Sequence, residues 1–384
     1  MKILQLGKFY PIRGGVEKVM WDLTRGLSEH GIRCDMLCAT LKSDPVDPPD
    51  LPRCTLTPDG KVIHFNDCGR VICVPAITKK AATMLSPAMI RWLRRHAGEY
   101  DLIHVHHPDP MAALALWLSG YRGRVILHWH SDILSQKVLL AFYRPLQSWL
   151  IRRAERIVGT TPVYVRESPA LQQVQDKVTY VPIGIQAVHF EENAAATLRN
   201  SYKGKKIVVS LGRLIPYKGY DVLIDAAARL GADYQVLIGG KGPLQDSLQA
   251  RIDALGLHRQ VRLLGYVPDE MVPTLYGACD VFVLSSVMKT EAFGIVQIEA
   301  MSCGRPVVAT RIPGSGVAWV NKDGVSGLNV EPGDPDALAE AIRRICDDRE
   351  AWQRYAEGAR LRFDGMFTAQ GMIDKMIDIY ERKC

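Results

Sequence analysis

The chain has 384 residues, 47% of them apolar and 23% charged, ordinary proportions for a globular protein long enough to hold two domains. These figures exclude a disordered, collagenous or disulfide-scaffold chain. The longest apolar run, Met111 to Leu118, falls far short of the ~20 residues that span a bilayer. The net charge of +7 sits entirely in the first half: residues 1–190 carry 24 Lys and Arg against 16 Asp and Glu, and residues 191–384 carry 24 against 25. A basic half points to an anionic ligand or surface, without separating nucleic acid, phospholipid headgroups and a phosphorylated substrate. Met1-Lys2 runs straight into Ile3–Gly7, too short a core for a secretory signal. The nine cysteines form no Cys-x-x-Cys pair and no zinc spacing. Free thiols in a reducing cytoplasm and no structural metal are therefore expected.

The elements begin with a strand at Ile3–Gly7. A helix follows, carrying Val16, Val19, Met20, Leu23 and Leu27 at a 3.6-residue period and stopping at Gly31. Residues 42–60, with five prolines and four aspartates, predict an exposed loop or irregular hairpin, either a surface excursion or a selector of substrate. Strands are expected at Cys34–Ala39, Leu102–His106, Val125–His128, Arg156–Gly159 and Val178–Val181. The rhythm restarts after position 200, with strands at Ile207–Leu211, Gln235–Ile238, Val261–Leu264, Val281–Leu284 and Val307–Ala309. Helices at Val222–Leu230 and Leu244–Leu255 lie among them. This alternation predicts an α/β protein of two doubly wound, Rossmann-like domains with parallel sheets, facing across a cleft. The polar stretch Gln186–Lys205 marks the boundary. Ligands of such sheets sit at the carboxyl ends of the strands.

Several constellations fall at those ends. Gly14-Gly15 open the first helix and would let a phosphate or sugar approach the backbone, or simply make a tight turn. His130 and Asp132 follow the strand Val125–His128, as cleft residues or as a structural His with a capping Asp or Ser. His104-Val105-His106-His107 end another strand, with no third metal ligand evident. Gly212-Arg213 and Lys218-Gly219 place a guanidinium and an ammonium at one strand-to-helix junction, a combination suited to a diphosphate. Gly240 and Gly242 flank Lys241 at the next strand end and would admit a ligand or make a plain turn. Glu291 and Glu299 are separated by seven residues around Phe293, Gly294 and Ile295. Glu291 is expected in the loop and Glu299 inside the helix; eight helical steps rise roughly 12 Å, which a partly looped start changes only moderately, too far for a two-carboxylate hydrolase, where ~5–9.5 Å is expected. The spacing suits two hydroxyl-bearing ends of one extended ligand. Asp334-Pro335-Asp336 mimics a metal-binding Asp-x-Asp but has the chemistry of a helix cap.

With Gly14-Gly15, His130, Gly212-Arg213, Lys218-Gly219 and the Glu291/Glu299 pair in order, nearly the whole chain resembles retaining glycosyltransferases of family 4 on the GT-B fold. The resemblance implies an N-terminal acceptor-side domain (residues 1–185, with 369–384 crossing back) and a C-terminal nucleotide-sugar domain (residues 186–368). Arg213 and Lys218 would neutralise the donor diphosphate, and Glu299 would hold the ribose. Glu291 with the amides of Phe293 to Ile295 would hold the transferred sugar, and His130 would reach it. Gly15 would approach the diphosphate or acceptor. The family's Pro-Asn-Gly turn reads Pro182-Ile183-Gly184 here, which removes the Asn. The implied chemistry is metal-independent transfer from a nucleotide sugar, with no cofactor.

His130–Ile133, His107–Pro110 and Pro182–Ile185 look most similar to bacterial surface-polysaccharide and lipopolysaccharide mannosyltransferases using GDP-mannose. The acceptor would be a polyprenyl-diphosphate-linked or other glycan. The location would be cytoplasmic, or peripheral at the inner face of the inner membrane. Alternatives are a UDP-sugar-dependent transferase, a sugar-nucleotide epimerase and a non-catalytic nucleotide-sugar binder. Nucleic acid is not expected as a partner, since no reader motif is present. An anionic membrane surface would be met by Lys79–Arg95 or by Lys137–Arg156, each of which also reads as an ordinary amphipathic segment packed on a sheet.

Overall fold

Short apolar strands alternating with helices build two separate sheets. The computed structural model describes residues 1–12, 14–44, 53–58, 60–80, 83–134 and 137–382. It divides into two compact units, Met1–Gly184 with Ala369–Cys384, and Ile185–Thr368. No helix among the described residues is long and apolar enough to cross a membrane.

The first unit holds β1 (Lys2–Phe9), β2 (Arg33–Thr40), β3 (Arg53–Thr57), β4 (Gly60–His64), β5 (Gly69–Pro75), β6 (Thr78–Lys80), β7 (Thr83–Leu85), β8 (Leu102–His107), β9 (Arg124–Trp129), β10 (Arg156–Gly159) and β11 (Val178–Tyr180). Nine of them form one sheet in the order β11-β10-β9-β8-β1-β2-β5-β4-β3, and β6-β7 form a separate hairpin. The centre is parallel and covered on both faces, so Ile3, Leu4, Leu6, Ile103, Val105, Ile126 and Leu127 are fully buried. The edge differs from the all-parallel expectation. β4 runs antiparallel to both β3 and β5, because the chain turns back after Thr57 and has no crossover helix. The predicted hairpin in residues 42–60 is thus partly β3–β4, while residues 45–52 and 59 lie outside the described residues.

Helix starts follow local chemistry. Asp109 accepts from the Met111 and Ala112 amides ahead of the helix Pro110–Ser119, which ends at left-handed Gly120. The helix Pro87–His96 buries Met89, Trp92 and Leu93 and leaves Arg91, Arg94 and Arg95 exposed. Its apolar side, with buried Met84, belongs to the core, while Leu85 just before it is exposed. The helix Lys137–Arg153 differs, since Leu139 and Phe142 are 53% and 80% exposed. The last helix, Ala369–Glu381, packs on the helix Gly15–Glu29. A Cβ on Gly26 would lie 2.0 Å from Ile373 Cδ1, so glycine is required for that approach.

The second unit holds β12 (Lys206–Leu211), β13 (Tyr234–Gly239), β14 (Val261–Gly265), β15 (Val281–Leu284), β16 (Val307–Thr310) and β17 (Gly327–Val330), in the order β14-β13-β12-β15-β16-β17. All its pairs are parallel. The stretch expected as a polar boundary contains the helix Glu192–Asn200, which belongs to this unit. Asp334 accepts from the Ala337 amide with Pro335 at the first helical position, so the Asp-x-Asp triplet caps a helix.

Candidate active site

The strand order of the second unit reverses between β12 and β15. Loops from neighbouring strands part at such a switch point and leave a crevice at the carboxyl ends. Three segments that carry residues named from the sequence meet around it: Gly212–Gly219 after β12, Gly240–Gly242 after β13, and Ser285–Ile295 after β15.

Lys218 closes the short 3₁₀ turn Pro216–Lys218, and left-handed Gly219 (φ 64°) starts the helix Tyr220–Ala227. That φ favours glycine, and a Cβ there would strike Ser285 O at 2.2 Å. The turn directs Lys218 Nζ to Glu291 Oε2 at 2.5 Å, with both side chains 11% exposed. Ser286 donates to the same oxygen at 3.0 Å, Ser285 donates to Lys218 O at 3.0 Å, and Ser315 donates to Glu291 O. Ion pair and serines together fix the carboxylate. Arg213 lies five residues earlier with its side chain exposed. Its guanidinium makes no hydrogen bond or ion pair among the described residues, which leaves the donor fork available to an anion.

The glycines have different reasons. A Cβ on Gly212 (φ 153°) would meet Tyr220 Oη at 2.8 Å, so this glycine makes room for the phenol hydroxyl. On Gly240 the Cβ would fall 1.8 Å from Gly212 O, and on Gly242 2.3 Å from Leu214 O. The sequence left these two open between admitting a ligand and making a plain turn. The space beside them is filled by the backbone of the neighbouring loop, and they are glycines because two loops touch. Between them, Lys241 reaches over the Tyr266 ring, 5.5 Å from its centroid.

Glu291 lies in the loop, and the helix Ile295–Ser302 begins only after left-handed Gly294. Glu299 lies within that helix and Glu291 before it, as the sequence placed them, with four helical steps from Ile295 to Glu299. Phe293 is buried, and its carbonyl accepts from Gln297 Nε2 at 2.9 Å. Glu299 is half-buried and accepts from Tyr276 Oη at 2.6 Å. Burial, followed by the Glu299 charge, pushes the Tyr276 phenol well above its ordinary value, so it stays a donor. Ser285, Ser286, Ser315 and Tyr276 are site residues the sequence reading missed. Ser285-Ser286 sit directly after the apolar run Val281–Leu284, the one signal that marked them.

The first unit has its own reversal, between β1 and β8. Gly7 (φ 133°) and Lys8 (φ 60°) turn the chain there. The Lys8 amide donates to Asp109 and its ammonium to Pro108 O. Burial pushes the Lys8 pKa down against the opposing pull of Asp109 and Glu17. Gly14 is extended and caps the first helix with backbone only, and buried Glu17 occupies its first turn. Asp132 accepts from Trp129 Nε1 at 3.0 Å and from Ser168 Oγ at 2.6 Å. Ile183 is buried and the Gly184 amide meets Met372 Sδ at 3.3 Å, so the position that departs from the family pattern is used for packing.

Pairing of β8 with β9 sets His106 against His128 and stacks four imidazoles. His104 and His128 lie 5.2 Å apart, His106 and His130 5.2 Å, His128 and His130 4.1 Å. The ring nitrogens of His106, His128 and His130 come within 4.8 Å of one another. The His128 and His130 planes differ by only 3°. Their lone pairs lie in parallel planes and do not converge on one point, a poor start for the tetrahedral geometry a metal needs.

Burial drives His107 and His128 down to about 3 and the other three stacked rings well below the ordinary value. Between pH ~6.5 and those values the unfolded chain binds protons that the folded chain does not, so stability falls as pH falls. His128 has no partner on either ring nitrogen. His128→Phe should therefore melt at least as high as the parent at pH 7.5 and lose less on acidification to pH 5. An equal loss in scanning calorimetry would refute this account of the stack.

The chain matches two family models, a "Glycosyl transferase 4-like domain" over residues 14–184 and "Glycosyl transferases group 1" over residues 195–362. It is similar to the O-antigen chain mannosyltransferase C of Escherichia coli, 31% identical over 99% of this chain and 98% of that protein. It is also similar to the D-rhamnosyltransferase WbpZ of Pseudomonas aeruginosa, 32% identical over 96% and 93%. Among solved structures it superposes on Anabaena HepE in complex with UDP and glucose (TM-score 0.78, 22% identity, 100% of both chains). Sucrose-phosphate synthase from Thermosynechococcus elongatus also matches (TM-score 0.79, 23% identity, 99% and 98%), so the two Rossmann-like units are those of the GT-B fold. A lysine–glutamate pair at a strand switch point and full-length similarity to two sugar transferases lead to one conclusion: the chain belongs to the GT-B glycosyltransferases of group 1 with a family-4-like N-terminal domain.

Proposed function

We propose that this glycosyltransferase moves mannose from GDP-mannose to a glycan on polyprenyl diphosphate in surface-polysaccharide synthesis, without a metal ion and with retention of configuration. The observation that carries this is Lys218 Nζ held on Glu291 beside the unpaired Arg213 guanidinium. The name of the O-antigen chain mannosyltransferase supports the sugar and the acceptor class.

Breaking the sugar–phosphate bond builds negative charge on the departing diphosphate and positive charge on the sugar. Arg213 and Lys218 meet the first, and the Glu291 carboxylate meets the second, with the cations already in place before reaction. The acceptor hydroxyl attacks on the face the diphosphate leaves, and a phosphate oxygen takes its proton. Glu299 orients the ribose and His130 a hydroxyl of the transferred sugar, while the Gly14-Gly15 turn approaches the diphosphate or acceptor. At the membrane, Leu139, Phe142 and Arg144 are the exposed residues offered to anionic lipid.

The second reading keeps the fold and replaces the donor with a UDP-sugar, as the UDP and glucose bound to HepE suggest. Incubation of GDP- and UDP-sugars with lipid-linked glycan in anionic vesicles separates the two. Only GDP-mannose should be consumed, the product should keep the donor's anomeric configuration by NMR, and EDTA should leave the rate unchanged. Glu299→Gln should raise the donor KM roughly tenfold or more, the cost of a charge-assisted hydrogen bond or two. Turnover of UDP-sugars alone, or conversion of the donor without acceptor, would displace this reading.

A further inference from the structure

Behind His130 runs a continuous chain of buried hydrogen bonds that crosses three strands. His130 Nε2 meets His106 Nδ1 at 2.9 Å, and His106 Nε2 meets Gln5 Oε1 at 2.7 Å. Gln5 Nε2 donates to Tyr380 Oη at 3.2 Å and towards Cys34 Sγ at 3.8 Å. Tyr380 Oη in turn meets His104 Nδ1 at 2.6 Å. Gln5 lies on β1, His104 and His106 on β8, His130 just beyond β9, and Tyr380 on the last helix. His106, Gln5 and Tyr380 are completely buried, and His130 is 5% exposed.

Each link restricts the next. A carbonyl oxygen only accepts, so Gln5 Oε1 requires a proton on His106 Nε2. A neutral imidazole carries one ring proton, so His106 Nδ1 is then bare and accepts. His130 must supply the proton for that bond from Nε2, which strips its own Nδ1. Burial, the neighbouring imidazoles and the Lys8 ammonium all disfavour a charged ring at His106 and His130. Protonation therefore does not interrupt the relay near neutral pH.

We propose that Gln5, acting through His106, is a positioning residue that locks His130 in the Nε2–H tautomer, so that His130 presents Nδ1 to substrate solely as a hydrogen-bond acceptor. Nδ1 makes no hydrogen bond among the described residues, and in the His106–His130 pair it is the ring nitrogen that the chain leaves over. A residue on the first strand of the fold thereby decides what His130 can recognise: a hydroxyl that donates, and not an oxygen that only accepts. This rests on the proposed function only for what meets that nitrogen.

The test reads the tautomer directly. Protein labelled with ring-15N histidine is examined by long-range proton–nitrogen correlation, with His130 identified by the signals lost in His130→Gln. At pH 7.5 the parent should show a protonated Nε2 and a bare Nδ1 at His130. A proton on Nδ1 would mean that the chain runs the other way, and would overturn the proposal. Gln5→Met cannot accept and should leave His130 as a mixture of tautomers, with kcat down about tenfold. Gln5→Glu, which still accepts, should restore the single Nε2–H form. If Gln5→Met does not fold, the parent and Gln5→Glu spectra still decide. An unchanged tautomer in folded Gln5→Met would remove Gln5 from the role. A separate arm uses donor analogues with each sugar hydroxyl replaced in turn by fluorine, which cannot donate. One should lose tenfold or more in kcat/KM in the parent and much less in His130→Gln. If none does while the tautomer is as expected, the sugar contact proposed for His130 is wrong and the buried chain stands.

Discussion

Glu291→Gln and Lys218→Met should each lower transfer by about a thousandfold or more, the scale on which removing one preorganised charge acts in a water-poor site. Stability should respond differently. The pair is 11% exposed on each side, and truncating one partner of a buried pair leaves the other charge uncompensated, at about 3–5 kcal/mol. Alanine at either position would therefore lower stability as well as activity, contrary to the simple expectation that the fold is indifferent to both. The matched replacements are better probes. Gln keeps the shape of Glu291 and the Ser286 contact, and Met keeps the length of Lys218. The double variant Lys218→Met/Glu291→Gln removes both charges at once, so it should melt above the Lys218→Met single variant while remaining inactive. Recovery of stability without activity separates the electrostatic role from a scaffold role. A double variant within tenfold of the parent rate would remove these two residues from the chemistry.

The central strands were legible in the sequence because buried parallel strands are apolar runs that turns interrupt. The run Ile207–Leu211 is β12 but for Lys206 at its start. What could not be read is pairing between distant segments. β5 is as apolar as its neighbours, with Val71, Ile72, Cys73 and Val74 buried, but nothing in its own sequence says that it pairs parallel with β2 and antiparallel with β4. In the same way Glu291 and Lys218 stood out singly, one by its spacing and the other by its place at a strand-to-helix junction. Their contact depends on β12 and β15 being neighbours across the switch point, which is a property of the sheet. The histidines show the same limit. Alternation put His104 and His106 on one face, but the stack needs the register that sets His106 beside His128. Lys8 was hidden for a local reason: a positive φ on a lysine leaves no trace in composition.

Gly240→Ala should be among the most damaging single methyl additions in the second unit. Three glycines grade the expected cost. Gly98 has ordinary φ and nothing within 4 Å of an added Cβ, so alanine there should be neutral or slightly stabilising. Gly256 also has open space but sits at φ 66°, and alanine should cost on the order of 1 kcal/mol in backbone strain. Gly240 combines φ 142° with a Cβ placed 1.8 Å from Gly212 O. That oxygen belongs to backbone and has no rotamer by which to retreat. The Gly212–Leu214 loop is further tied to this one by Gly212 N–H to Gly239 O at 2.9 Å and Leu214 N–H to Lys241 O at 3.0 Å. Relief therefore requires the loop carrying Arg213 and leading to Lys218 to move as a body, at more than about 4 kcal/mol. Soluble yield and melting temperature should fall in the order Gly98→Ala, Gly256→Ala, Gly240→Ala. Any Gly240→Ala protein that folds should bind its donor poorly, because the cations ride on the displaced loop. If Gly240→Ala instead melts within a few degrees of the parent and retains donor affinity, the two loops do not touch as described, and the cations do not depend on their contact.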